Sequence, residues 1–191
     1  VPIISNDSDH AGVSIERAAD GSAILVWADD RNVDVSDSGI DIFTQRIDTS
    51  CNTLWSTPEE GGIPLCTAPG SQEYIKVTYY SQTVSAVVWE DKRFNENIGD
   101  IFIQYVDMDG NVMLNPGGEI LCDHPANQIK PRAKGDENGV YVVWEDSRNG
   151  PGDIYVQKHT LDGGSQLEQN GLGICTASGT QDQPRLTSDG N

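Results

Sequence analysis

Val142-Val143-Trp144-Glu145-Asp146-Ser147-Arg148 is the stretch on which the fold turns, because it has two earlier copies. Val87-Val88-Trp89-Glu90-Asp91-Lys92-Arg93 is the second, and Leu25-Val26-Trp27-Ala28-Asp29-Asp30-Arg31 the first. Downstream of each, across a loop of changing length, stands an Asp-Ile-aromatic-x-Gln segment: Asp41 to Gln45, Asp100 to Gln104 and Asp153 to Gln157. Six residues past each Gln comes a turn position, held by Cys51, Gly110 and Gly163. Each copy then closes on an apolar residue and a cysteine (Leu65-Cys66, Leu121-Cys122, Ile174-Cys175), and a glutamine follows six residues later at Gln72, Gln128 and Gln181. Order and spacing hold through three copies, so the chain is a repeat protein.

Cysteine-to-cysteine intervals of 56 and 53 residues set a period of about 55. The length differences fall between the Arg and the Asp-Ile pair, ten, seven and five positions apart, as surface loops vary while strands stay fixed. In the third copy, alternation and β-branched content mark strands over 128–134, 140–145, 153–160 and 173–176. Turns of Asp-Glu-Asn-Gly (136–139) and Asp162-Gly163-Gly164 separate them, and no segment carries a convincing helical period. The expected fold is all-β and propeller-like: three four-stranded antiparallel blades plus a partial strand of a fourth, one repeat domain over 1–191. The repeats run approximately over 10–70, 71–127 and 128–180, with 181–191 opening a fourth. Three blades are fewer than the roughly four to eight that close a ring, so the sequence predicts either a piece of a longer chain or association of copies.

Composition narrows the functional classes. Thirty acidic against 12 basic residues give a net charge of −18, which repels nucleic acid and anionic lipid and favours cations and basic partners. No apolar run approaches the roughly 20 residues of a membrane span, so no membrane insertion is expected. At 36% hydrophobic, with four Trp and six Tyr, the chain has enough apolar surface to collapse.

The recurring side chains admit a packing role and a binding role. Trp27, Trp89 and Trp144 end an apolar strand, which favours filling the space between blades, the indole N–H bonding a carbonyl, over a row of sugar platforms. The pairs Asp29/Arg31, Asp91/Arg93 and Asp146/Arg148, with Asp41, Asp100 and Asp153 across the loop, suggest a guanidinium clamped between carboxylates rather than an anion site. Cys66, Cys122 and Cys175 read as buried free thiols, since equivalent points on neighbouring blades lie too far apart for a bridge. Cys51, 15 residues before Cys66, could form a disulfide with it. His10, His124 and His159 occupy unrelated repeat positions and build no catalytic set. Asp34, Ser36 and Ser38 match the first half of a calcium loop, and Asp107 and Asp109 form a second acidic turn; both are weak Ca²⁺ candidates, and no other cofactor is expected.

The consensus Val-Trp-Glu-Asp-x-Arg, Asp-Ile-Tyr-x-Gln, Asp-x-Gly and Cys resembles blade repeats of large secreted and cell-surface bacterial proteins, many exported by the type IX route of the Bacteroidetes lineage. The resemblance implies a propeller outside the cell or on its surface and says little about activity. A looser similarity to sialidase-type propellers lacks the Asp-box, of which Asp109-Gly110-Asn111 is a faint echo. With chemical content repeated between copies, the expected function is a non-catalytic extracellular module for adhesion, binding or assembly, hence not an enzyme. Its expected partners are other blades of a longer chain, other copies of itself, or a glycan or protein ligand. The alternative is a fragment of a sialidase-like or other propeller glycoside hydrolase, working through carboxylates such as Asp34, Asp37 and Glu96.

Overall fold

The computed structural model describes residues 2–5, 7–32 and 39–187, and among them the regular structure is entirely β. Three antiparallel sheets follow one another along the chain. The first holds β1 (His10–Arg17), β2 (Ala23–Asp29), β3 (Asp41–Ile47) and β4 (Ile63–Cys66). The second holds β5 (Gln72–Ser81), β6 (Val84–Asp91), β7 (Asp100–Asp107) and β8 (Glu119–Cys122). The third holds β9 (Gln128–Asp136), β10 (Gly139–Asp146), β11 (Asp153–Thr160), the two-residue β12 (Gly164–Ser165) and β13 (Leu172–Cys175). Each is an antiparallel meander, with β12 and β13 both pairing β11 in the third, which is the construction of a propeller blade. No helix among the described residues is long and apolar enough to cross a membrane.

The blades stack through their first strands, β1 on β5 and β5 on β9, with two cores trapped between sheets. Ile24, Val26 and Ile42 of blade one meet Ile75, Val77 and Trp89 of blade two. Val88, Ile101, Ile103 and Tyr105 of blade two meet Val140, Val142, Trp144 and Tyr155 of blade three. Middle strands such as β6 (Val84–Asp91) are buried on both faces, so their apolar runs are nearly continuous instead of alternating.

Every first strand carries a bulge at a left-handed residue: Gly12, Tyr74 and Lys130 have φ of 61°, 53° and 54°, and Gln183 repeats the feature at 51°. At two junctions a carboxylate from one blade accepts the amide of that residue in the next. Lys130 N–H donates to Glu90 Oε2 at 3.2 Å, and Gln183 N–H to Glu145 Oε1 at 3.0 Å. Residues 181–187 thus begin as a first strand does, with Gln181 N–H on the Gly152 carbonyl as Gln128 N–H is on that of Gly99, but they carry no strand pairing.

Candidate functional site

The repeated Trp, Asp and Arg residues form one unit in every blade. Trp27, Trp89 and Trp144 are fully buried, and their indole N–H groups donate to Asp29, Asp91 and Asp146 at 3.0, 2.7 and 2.9 Å. The partner is therefore a carboxylate and not the carbonyl expected. Arg31, Arg93 and Arg148 fork onto the same carboxylates and then reach carbonyls before the fourth strand: Glu60 and Gly61, Gly117, and Asn170. Each guanidinium also lies over the next strand's aromatic ring, 3.7 Å from Phe43, 4.1 Å from Phe102 and 3.9 Å from Tyr155. The clamp has one carboxylate jaw; the other jaw is backbone and ring. Asp41 instead accepts the Asn32 amide at 2.7 Å, and Asn149 turns to the Tyr155 hydroxyl at 2.8 Å. Buried this way, the arginines are committed to the blade and do not converge on an outside anion.

Asp29 of this unit and Asp100 beside it titrate in opposite directions. Burial works against charge on Asp29, but the hydrogen bonds from Arg31 and Trp27 outweigh it and bring its pKa down to about 2. Asp100 faces burial, the Asp123 and Asp91 carboxylates and only the distant help of Arg93, and is pushed up to about 6.

The remaining candidates separate. All four cysteines are free, which corrects the Cys51–Cys66 bridge. Cys66 pairs opposite Ile42 at the start of β3, whereas Cys51 lies in the turn past its end at Ile47. Five strand residues separate those levels, about 17 Å, far beyond disulfide reach. Cys66 and Cys122 are buried as expected, and burial raises their thiols to about 11 and about 12, but Cys175 is exposed. Asp34, Ser36, Asp37 and Ser38 lie outside the described residues. Asp107 closes its own turn, accepting the Asp109 and Asn111 amides and the Asn111 side chain at 2.8–2.9 Å. Glu96 is exposed on the loop after blade two's Trp strand. Ser8, His10 and Asp29 meet at the head of blade one, with His10 Nε2 3.2 Å from Ser8 Oγ and 3.1 Å from Asp29. One nitrogen faces both oxygens, unlike a nucleophile–base–orienter chain, in which each ring nitrogen serves one partner.

The cavity that could hold a ligand is elsewhere. Where β1, β5 and β9 end, they surround an open basin of about 750 Å³ lined by Glu16, Arg17, Tyr79, Lys134, Asp136 and Tyr141, with Leu186 and Thr187 on its flank. It combines two carboxylates, two cations and two phenol rings, and Lys158 Nζ stands 5.3 Å from the Tyr141 ring centre. These positions break the repeat: by strand register Glu16 corresponds to Thr78 and Lys134, and Arg17 to Tyr79 and Gly135. Sequence reasoning missed them because it followed what the copies share. The signal available was the divergence of the first-strand ends.

No family model matches the chain, and no curated protein matches it. Among solved structures, a putative glycosidase from Bacteroides thetaiotaomicron is similar at 12% identity and a TM-score of 0.49, covering 88% of this chain and 54% of that one. An endo-1,5-α-L-arabinanase from Thermotoga petrophila is similar at 15% identity and 0.48, covering 90% and 44%. An α-L-arabinofuranosidase from Lactobacillus brevis is similar at 14% and 0.47, covering 96% and 60%. The chain thus spans about half the length of the structures it resembles. The expectation of a non-catalytic module that is not an enzyme is corrected at its premise: a residue cluster that breaks the repeat does exist, at the basin.

Proposed function

We propose that this protein acts on carbohydrate as part of a propeller glycoside hydrolase, with the basin at the ends of β1, β5 and β9 as its sugar site. The observation that carries the reading is the basin's lining: Tyr79 and Tyr141 offer faces on which a sugar ring packs, and Glu16 and Asp136 bring carboxylates from blades one and three to the same space. Glycoside hydrolysis needs two carboxyl groups flanking the scissile bond, one protonating the leaving oxygen and the other activating water or attacking the anomeric carbon. Arg17 and Lys134 line the same space and supply hydrogen-bond donors to sugar hydroxyls.

Soluble polysaccharides and aryl glycosides, including α-1,5-linked arabinan and α-L-arabinofuranosides, are the substrates to assay for reducing-end release. Hydrolysis by the unaltered protein and its loss in Glu16→Gln and Asp136→Asn, at least about 100-fold each with sugar binding retained, is the expected result. Loss of binding in Tyr141→Ala would place the sugar in the basin. Unchanged hydrolysis in both carboxylate variants, or absence of binding to any sugar tested, would overturn the assignment.

A further inference from the structure

Three positions break the repeat together at the seam between blades two and three. By strand register, His159 stands where the other third strands have Ile47 and Val106, and Tyr105 where they have Arg46 and Lys158. Glu119 stands where the other fourth strands have Ile63 and Leu172. The seam gathers these three into one cluster. His159 is fully buried, with Nδ1 2.9 Å from the Tyr105 hydroxyl and Nε2 facing Glu119 Oε1 at 3.6 Å. Although buried, Nε2 has no hydrogen-bond partner among the described residues. Tyr80 of β5 sets its ring edge on Tyr105, 4.9 Å between centres, and its hydroxyl accepts the Leu161 amide at 3.4 Å. The other strands packed here bring no charge: β6 and β10 contribute Ala86 and Val140, and Ser165 of β12 pairs with His159. Lys158, next along the chain, lies over the Tyr141 ring instead.

This packing suits a neutral imidazole better than a charged one. When neutral, the ring accepts the Tyr105 hydroxyl proton at Nδ1 and aims the N–H of Nε2 at Glu119. When protonated it carries hydrogen on both nitrogens, so Tyr105 must turn from donor to acceptor. The phenol proton is then left with the His159 carbonyl at 3.5 Å, a poor bond. Glu119 is the one carboxylate that faces the ring, and with its side chain 46% exposed it is well screened by water. Burial outweighs that carboxylate and lowers the pKa of His159 from the ordinary 6.5.

We propose that Tyr105, Glu119 and His159 form an acid-sensitive lock between blades two and three, closed while His159 is neutral and released when it takes up a proton. An opened seam puts the imidazole in water, where it ionises near pH 6.5, whereas the closed seam ionises it only at lower pH. The lock is therefore at full strength above about pH 6.5 and weakens as pH falls from there to the folded value, opening being favoured by up to about tenfold per pH unit over that window. Release reaches the basin, because Tyr79 adjoins Tyr80, and Tyr141 adjoins Val140, the strand partner of His159. The lock does not depend on the basin's being a sugar site.

The test uses the whole chain and two readouts. Imidazole proton resonances of the three histidines give the titration midpoint of His159. Amide hydrogen exchange in β10 and β11, taken relative to β2 and β3 of the same molecule and corrected for intrinsic pH dependence, reports opening of the seam. A His159 midpoint below 6.5 is expected, with exchange in blade three accelerating roughly tenfold relative to blade one between pH 7 and pH 5. Glu119→Gln removes the charge that favours the imidazolium, so it should lower the midpoint further and leave the acceleration at pH 5 at least as large. His159→Val, which restores the apolar residue of the other blades, should abolish the acceleration. Should that variant fail to fold, the unaltered chain and Glu119→Gln decide the matter between them. A His159 midpoint at or above 6.5 overturns the proposal, as does a midpoint unmoved by Glu119→Gln. So does an acceleration that is absent, or that survives in His159→Val, since the seam would then be indifferent to His159.

Discussion

Trp144 buries its whole indole and gives its one polar atom to Asp146, 2.9 Å away. Removing the ring leaves a cavity and an unpaired side of a buried carboxylate, so Trp144→Ala is expected to cost about 3–5 kcal/mol, measured by urea unfolding. Substitution of the carboxylate tests the unit from its other end. Asp91→Ala strands both the Trp89 indole and the Arg93 guanidinium, and a loss of similar size, about 3–5 kcal/mol, is expected from leaving a charge half-buried and unpaired. Asp100 behaves oppositely. Its folded pKa of about 6 lies above the ordinary 3.8, so the folded state holds the proton more tightly. Its contribution is therefore favourable in acid and is lost as pH rises from about 4 through about 6. Asp100→Asn should raise stability at pH 7 by about 1–2 kcal/mol, allowing for solvent screening, and leave it nearly unchanged at pH 4. Thermal melts at the two pH values read the difference.

Among the strands, the backbone ahead of each fourth strand passes hard against the Trp edge of its own blade. Gly118 has φ of +84°, and a Cβ there would fall 2.5 Å from the Trp89 ring and 2.7 Å from the Ile103 carbonyl. Gly62 and Gly171 meet Trp27 and Trp144 in the same way, each near 2.4 Å. Gly118→Ala is thus both strained and blocked, and a loss of at least about 2–4 kcal/mol is expected in denaturant unfolding, above the roughly 1 kcal/mol of left-handed strain alone. Gly110→Ala, at 3.1 Å from the tip of Ile63, isolates that strain and should cost less. The glutamines that follow the Asp-Ile pairs do related work: Gln104 donates to the Asn115 carbonyl at 3.0 Å and accepts the Tyr105 and Leu114 amides at 2.8 Å, closing the third strand onto the loop before the fourth.

Across the whole molecule, the three blades stack around the line of their first strands and leave a basin at one end. Carboxylates there come from the first and third blades, so their spacing depends on both interfaces at once. Glu90→Ala removes the latch to Lys130 at the second interface and exposes that dependence. It should destabilise by about 1–3 kcal/mol in urea unfolding and weaken sugar binding in the basin, although Glu90 lies at the opposite end of the strands. Stability lost without any change in binding would mean that the Glu90 latch does not set the basin's geometry.

The repeat, its period and its four strands per copy could be read from the sequence because each is a local property. The Trp-Glu-Asp-x-Arg segment must be apolar until the blade edge and polar after it, and the third copy's last two major strands, over 153–160 and 172–175, fall on or within one residue of their expected places. The left-handed bulges at Tyr74 and Lys130 gave no such sign, since Gly marks that position only in blade one; what holds those residues there is a carboxylate from the neighbouring blade at one junction. The pairing of indole with carboxylate is a local contact, two residues along one strand, whereas the separation of Cys51 from Cys66 and the meeting of Glu16 with Asp136 were decided by tertiary structure. Each depends on distances between chain segments from tens to more than a hundred residues apart or at opposite strand ends, and spacing along the chain carries no measure of those.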